Sequence, residues 1–136
     1  MNRLVGMAAL LVVVVGLSAR AQDRDKPPSI KAIMTKAHKG GDSILAKLRE
    51  ELKADDTDWA QVQKMSKELV DLGTALGKNT PPKGEKRSWQ EKTSLYKANA
   101  TALNKAAGRK DKKQAQGAFK RLQSSCLACH KAHRVK

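Results

Sequence analysis

From Ile30 onward the apolar residues recur at steps of three and four, and nowhere do they alternate with polar ones as a strand requires. Ile30, Ile33, Met34, Ala37, Gly41, Ile44, Leu45, Leu48 and Leu52 form the first stripe, opened by Pro27 and Pro28, and predict one long helix. After "KADDTD", where Asp56 or Thr57 is the expected cap, Trp59, Val62, Met65, Leu69, Leu72 and Leu76 form a second stripe that Gly77 ends. "KNTPPKGEKR" is a loop, since two prolines and a glycine among charges cannot sustain a helix. Ser88 with Glu91 predicts a capping box for a third helix, which runs through Leu95, Tyr96, Asn99, Ala102 and Leu103 to Gly108. Asp111 caps a fourth, carrying Ala115, Ala118, Phe119, Leu122, Cys126 and Cys129. The expected fold is all-α, an antiparallel four-helix bundle with short connections.

The residues before this pattern set the compartment. Arg3 precedes "LVGMAALLVVVVGLSA", an uncharged run too short for a comfortable membrane span, and Ala19 with Ala21 makes a small-residue cleavage site before "QDRDK". Residues 1–21 are therefore expected to be a signal peptide and 22–136 a single exported, periplasmic domain. Removing Arg3 and Arg20 with the leader takes the net charge from +15 to +13. Trp59, Trp89, Tyr96 and Phe119 are the whole aromatic set, so the core rests on Leu, Ile, Val and Ala and would gain from a large apolar cofactor.

The remaining feature is "CLACH" at Cys126–His130, which holds both cysteines of the chain. A structural zinc site needs four ligands, and neither a second C-x-x-C nor a spaced histidine pair is present. A thioredoxin-like pair belongs at a helix start inside a βαβ unit, which an all-α chain lacks. A disulfide closing so small a loop adds little stability. Covalent haem needs only what is there: both thiols add across the two vinyl groups while the adjacent His130 is placed to reach the iron. The attachment takes place outside the cytoplasm, where the leader directs the chain.

An exported four-helix chain with C-x-x-C-H near the end of its last helix resembles the class II cytochromes c, the cytochrome c-prime family. That family tends to read C-x-x-C-H-x-x-aromatic-Arg; Cys126, Cys129, His130 and Arg134 match, and His133 stands in the aromatic position. The resemblance implies one haem c on Cys126 and Cys129 at the C-terminal end of helix 4, with His130 as proximal ligand. In the family's six-coordinate branch the distal ligand is a methionine on helix 1; in its five-coordinate branch that side is empty.

Bundle geometry places the end of the fourth helix beside the start of the first, the end of the second and the start of the third. The haem pocket is therefore expected to draw on Ile30, Ile33, Met34, Leu72, Leu76, Trp89, Leu95 and Tyr96. Met34 lies at a depth comparable to that of His130 and is the natural distal ligand, while His38, one turn further along the same face, is the alternative and an open site the third. Met65 is expected in the core.

Iron closed by two protein ligands leaves electron exchange as the easy chemistry, so the chain is expected to be an exported electron carrier and not an enzyme. The alternative is a five-coordinate haem protein that binds nitric oxide, carbon monoxide or peroxide at an open distal site. The positive charge points to an acidic redox partner protein, or to an anionic membrane surface. Nucleic-acid binding would leave the haem motif idle and is not expected, and both a monomer and a homodimer remain open.

Overall fold

The computed structural model describes residues 26–134, so the apolar leader and its cleavage site lie outside the described residues. Five helices and no strand occur among them: α1 Ile30–His38, α2 Ile44–Lys53, α3 Trp59–Lys78, α4 Lys86–Gly108 and α5 Lys112–His133. α1 and α2 share the first position of the bundle. α3 pairs with α4 and α4 with α5 along most of their lengths.

The single long first helix expected from the apolar stripe is interrupted at "KGGDS". Gly40 takes φ +84°, a left-handed conformation that L side chains rarely adopt. Ser43 then restarts the chain as a cap: its Oγ accepts from the Ala46 amide at 3.3 Å and donates to the Gly40 carbonyl at 2.8 Å. The periodicity hides this break because Ala37 and Ile44 are both buried, seven residues apart, so the stripe keeps its phase across it.

Two caps also differ from the expected ones. Asp58, not Asp56 or Thr57, caps α3 by accepting from the Gln61 amide at 3.1 Å. Thr57 instead turns back to close α2, its hydroxyl donating to the carbonyls of Glu51 and Ala54. The capping box at Ser88 does not form, because α4 begins at Lys86, two residues earlier, and Ser88 is turned toward His133. Asp111 caps α5 through the Gln114 amide at 3.0 Å, as its position suggests.

The main core occupies the half of the bundle built by α2 with the facing parts of α3, α4 and α5. Leu48, Val62, Leu69, Leu103 and Leu122 are fully buried there among Ala100, Ala106, Ala107, Ala115 and Ala118. Alanines at the α4/α5 seam let those helices approach closely. Polar clasps seal this end: Gln116 donates to the Leu52 carbonyl at 2.8 Å, Lys112 donates to that of Ala54, and Asn104 donates to that of Gln63 at 2.8 Å. Met65 is half-buried against the same core.

The other half is built differently. α1 leans on α3 through the Lys36–Glu68 ion pair, and Asn79 donates to the Pro28 carbonyl at 3.0 Å. No Cα of α1 comes within 8 Å of any in α5, although α2 does approach α5 that closely. The break at Gly40 thus lets the first bundle position part from α5 along its N-terminal half. Only a small apolar group, Ile33, Leu76 and Trp89, forms the core at this end.

Candidate haem cleft

The parting of α1 from α5 leaves a cleft with two connected chambers. The outer one, about 590 Å³, is lined by Ile30, Met34, His38, Lys39, Pro82, Trp89, Cys129, His130, His133 and Arg134. An inner one of about 150 Å³ is lined by Met34, His38, Leu45, Leu76, Lys92, Tyr96, Ser125, Cys126, Cys129 and His130. Met34, His38, Cys129 and His130 border both, so α1 and α5 supply opposing walls of one space.

Most residues expected from the sequence come together here: Ile30 and Trp89 on the outer chamber, Leu76 and Tyr96 on the inner. Ile33 sits one layer behind, buried against Leu76 and Trp89, and Leu72 packs half-buried between this group and the main core. Leu95 is a correction. It is 52% exposed and lines neither chamber, because Trp89, Thr93, Tyr96 and Ala100 set the buried face of α4 and Leu95 lies a helical step away from it. Lys39 and Lys92, indistinguishable in the sequence among so many cations, join Arg134 of the C-terminal motif in giving the cleft a positive border.

His133 occupies the slot where the C-terminal motif usually carries an aromatic. It is buried, with its ring edge-on to Trp89 at 5.3 Å between centroids. Its Nδ1–H donates to the Lys83 carbonyl at 2.8 Å, which leaves Nε2 to accept from the Ser88 hydroxyl at 3.2 Å. The end of α5 is thereby tied to the loop before α4 and to the first turn of α4, one turn from His130. Only the through-space partners could have revealed this role.

The two thiols are not bonded to each other, and Cys126 points its S–H at the Leu122 carbonyl at 3.6 Å. Burial, with Cys129 nearby, raises the Cys126 thiol; burial also raises Cys129, against the pull of Lys92. Both are held protonated, opposite to the lowered thiol that a redox C-x-x-C uses for attack. Among the described residues no group of three or more His, Cys, Asp or Glu side chains is arranged to hold a bare metal ion.

Across the cleft, His38 sets its Nε2 3.1 Å from the Tyr96 hydroxyl, the rings edge-on at 5.6 Å. Burial, then the proximity of His130, lowers His38 to about 4, so the imidazole is neutral at pH 7. Burial pushes the Tyr96 phenol up, and it too keeps its proton. The ring of Tyr96 lies so close to Gly73 of α3 that a Cβ there would stand 2.8 Å from Cδ1.

The cleft fits a haem on three counts. Its outer chamber lies within the roughly 300–1,000 Å³ typical of cofactor sites. Both thiols of the C-x-x-C-H motif lie on its α5 wall. Two buried side-chain polar atoms of the described residues lack a hydrogen-bond partner, His38 Nδ1 and Trp89 Nε1, and both belong to residues lining it. Buried polar groups rarely stay unpaired, so their clustering marks the place where a further group belongs.

Neither a curated protein nor a solved structure matches the chain. The model of the Cytochrome C' family matches residues 29–134, which spans all five helices and the whole cleft, and the chain belongs to that family of haem proteins.

Proposed function

We propose that the protein is an exported electron carrier, not an enzyme, holding one haem c by thioether bonds to Cys126 and Cys129, with His130 as proximal and Met34 as distal iron ligand. The observation that carries the reading is that Met34 on α1 and His130 on α5 border the same two chambers from opposite walls. The haem would supply a one-electron couple, its potential raised by thioether ligation.

The chain's own work is holding and shielding. α5 presents Cys126, Cys129 and His130 within five residues, so porphyrin and proximal ligand would share one rigid helix. The tie from His133 to Lys83 and Ser88 steadies that helix end. Ile30, Leu76 and Trp89 exclude water from the apolar faces, and Lys39, Lys92 and Arg134 suit the carboxylates of a porphyrin edge. Leu127, 78% exposed between the two cysteines, marks the outer edge where a redox partner would approach.

A charge of +13 after leader removal favours an acidic partner protein, or an anionic membrane surface, reached by long-range attraction. Electron-transfer rates to such a partner should fall as salt rises, and rates flat in ionic strength would count against steering. One observation favours the second reading, a five-coordinate binder of diatomic gas or peroxide: the His38–Tyr96 pair stands on the distal side with an unpaired nitrogen.

A reduced-minus-oxidised visible spectrum of the purified protein, with acid-acetone extraction, tests the proposal. We expect a low-spin spectrum and haem that resists extraction, lost to extraction in Cys126→Ala/Cys129→Ala. A high-spin wild type that binds carbon monoxide at once would move the assignment to the gas-binding reading.

A further inference from the structure

His38 borders both chambers as Met34 does, and imidazole is a strong iron ligand, so the chain needs a reason for the thioether to prevail. The Tyr96 hydroxyl provides one. The side chain is 6% exposed, and its oxygen has one hydrogen-bond partner among the described residues, His38 Nε2 at 3.1 Å. If Tyr96 donates to Nε2, the one group left unpaired is Nδ1–H, whereas an Nε2–H donor would leave both the phenol hydrogen and the Nδ1 lone pair unpaired; the pairing therefore favours Tyr96 as donor and the neutral ring's hydrogen on Nδ1.

We propose that Tyr96 is a positioning residue that holds His38 off the sixth iron position and so reserves it for Met34 or an exogenous ligand. This rests on the reading that haem lies between α1 and α5 on His130. To ligate through Nε2, His38 would abandon Tyr96 and leave a buried hydroxyl unpaired. To ligate through Nδ1, it would move its hydrogen to Nε2, which would then donate to the phenol oxygen and leave the buried phenol hydrogen without an acceptor. Either route biases the ligand equilibrium against His38 by roughly 5- to 150-fold. Gly73 belongs to the device: with no Cβ, it lets the Tyr96 ring seat against α3.

The test compares the haem-loaded wild type with Tyr96→Phe, reading the axial ligands by electron paramagnetic resonance and near-infrared magnetic circular dichroism, and the midpoint potential. The wild type should show no second histidine on the iron, whether Met34 binds or the position is open. Tyr96→Phe should develop a bis-imidazole signature with a lower potential, and adding His38→Ala should abolish both changes. A Tyr96→Phe protein with the wild-type ligands and potential overturns the proposal, as does a wild type already carrying two histidines. Neither of these outcomes touches the haem assignment, which fails separately if the wild type yields its haem to acid acetone. Should Tyr96→Phe not fold, nitrogen-15 spectra of the ferrous wild type decide: the His38 hydrogen on Nδ1 supports the lock, and on Nε2 it overturns it.

Discussion

The two ends of the bundle use the same helices in opposite ways. Where α2 meets α5, fully buried Leu48, Val62, Leu69, Leu103 and Leu122 interlock, and Gln116, Lys112 and Asn104 occupy backbone carbonyls. Where α1 faces α5, the core shrinks to Ile33, Leu76 and Trp89, two buried nitrogens go unpaired, and the helices stand apart. One end is complete in protein alone; the other is shaped for a group that the chain must acquire. Stability and function are thus separated along the bundle axis, with the break at Gly40 as the boundary.

The sharpest way to break this contrast is to withhold the haem. A porphyrin would bury more apolar surface than any single side chain here, at about 25 cal/mol per Å². In Cys126→Ala/Cys129→Ala prepared without haem, hydrogen exchange should rise steeply in α1 and the last turns of α5, while α3 and the facing part of α4 keep more protection. Uniform protection equal to that of the haem form would erase the distinction between the ends.

Truncating the complete end should do the reverse. Leu48→Ala, at a fully buried position, should cost about 2–5 kcal/mol in denaturant unfolding and leave the haem spectrum unchanged. At exposed Leu95, alanine should change stability by no more than about 0.5 kcal/mol and leave the spectrum alone. A spectral shift in Leu95→Ala would restore that residue to the pocket.

Acid should act chiefly at the open end. The His38 pKa of about 4 lies below the ordinary 6.5, so the unfolded chain takes up a proton first as pH falls. Its stabilising contribution is fully present above pH 6.5 and is lost as pH falls from 6.5 toward 4, by up to about 3 kcal/mol before screening at the half-buried ring. Unfolding free energies across this window should slope less in His38→Gln than in the wild type. Equal slopes would place the proton uptake elsewhere.

Gly73→Ala should have a smaller effect, about 1–3 kcal/mol, by displacing the Tyr96 ring. If the ring merely shifts without releasing His38, the spectrum will not change, and the close approach at Gly73 is packing alone.

Much of this is legible in the amino-acid sequence. The apolar stripes fix which faces meet, and so bring Met34, Trp89, Tyr96 and the C-x-x-C-H motif to one end of the bundle. What escaped depends on local competition or on distance. The break at "KGGDS" is invisible to periodicity, because Ala37 and Ile44 stay in phase while glycine conformation and the Ser43 cap decide the backbone. Leu95 is exposed although it is apolar, because apolar character alone cannot tell one side of α4 from the next. The partners of His133 and His38 lie 45 to 58 residues away in the chain, and only the fold joins them.

We propose above that the cleft between α1 and α5 holds a covalent haem with Met34 and His130 on its two sides. The most direct test is the ferrous visible spectrum of Met34→Ala beside that of the wild type, each carrying haem that resists acid acetone. We expect the wild type to be low-spin and inert to carbon monoxide, and Met34→Ala to turn high-spin and bind it. A Met34→Ala spectrum identical to a low-spin wild type would contradict the account, because another group would then occupy the sixth position.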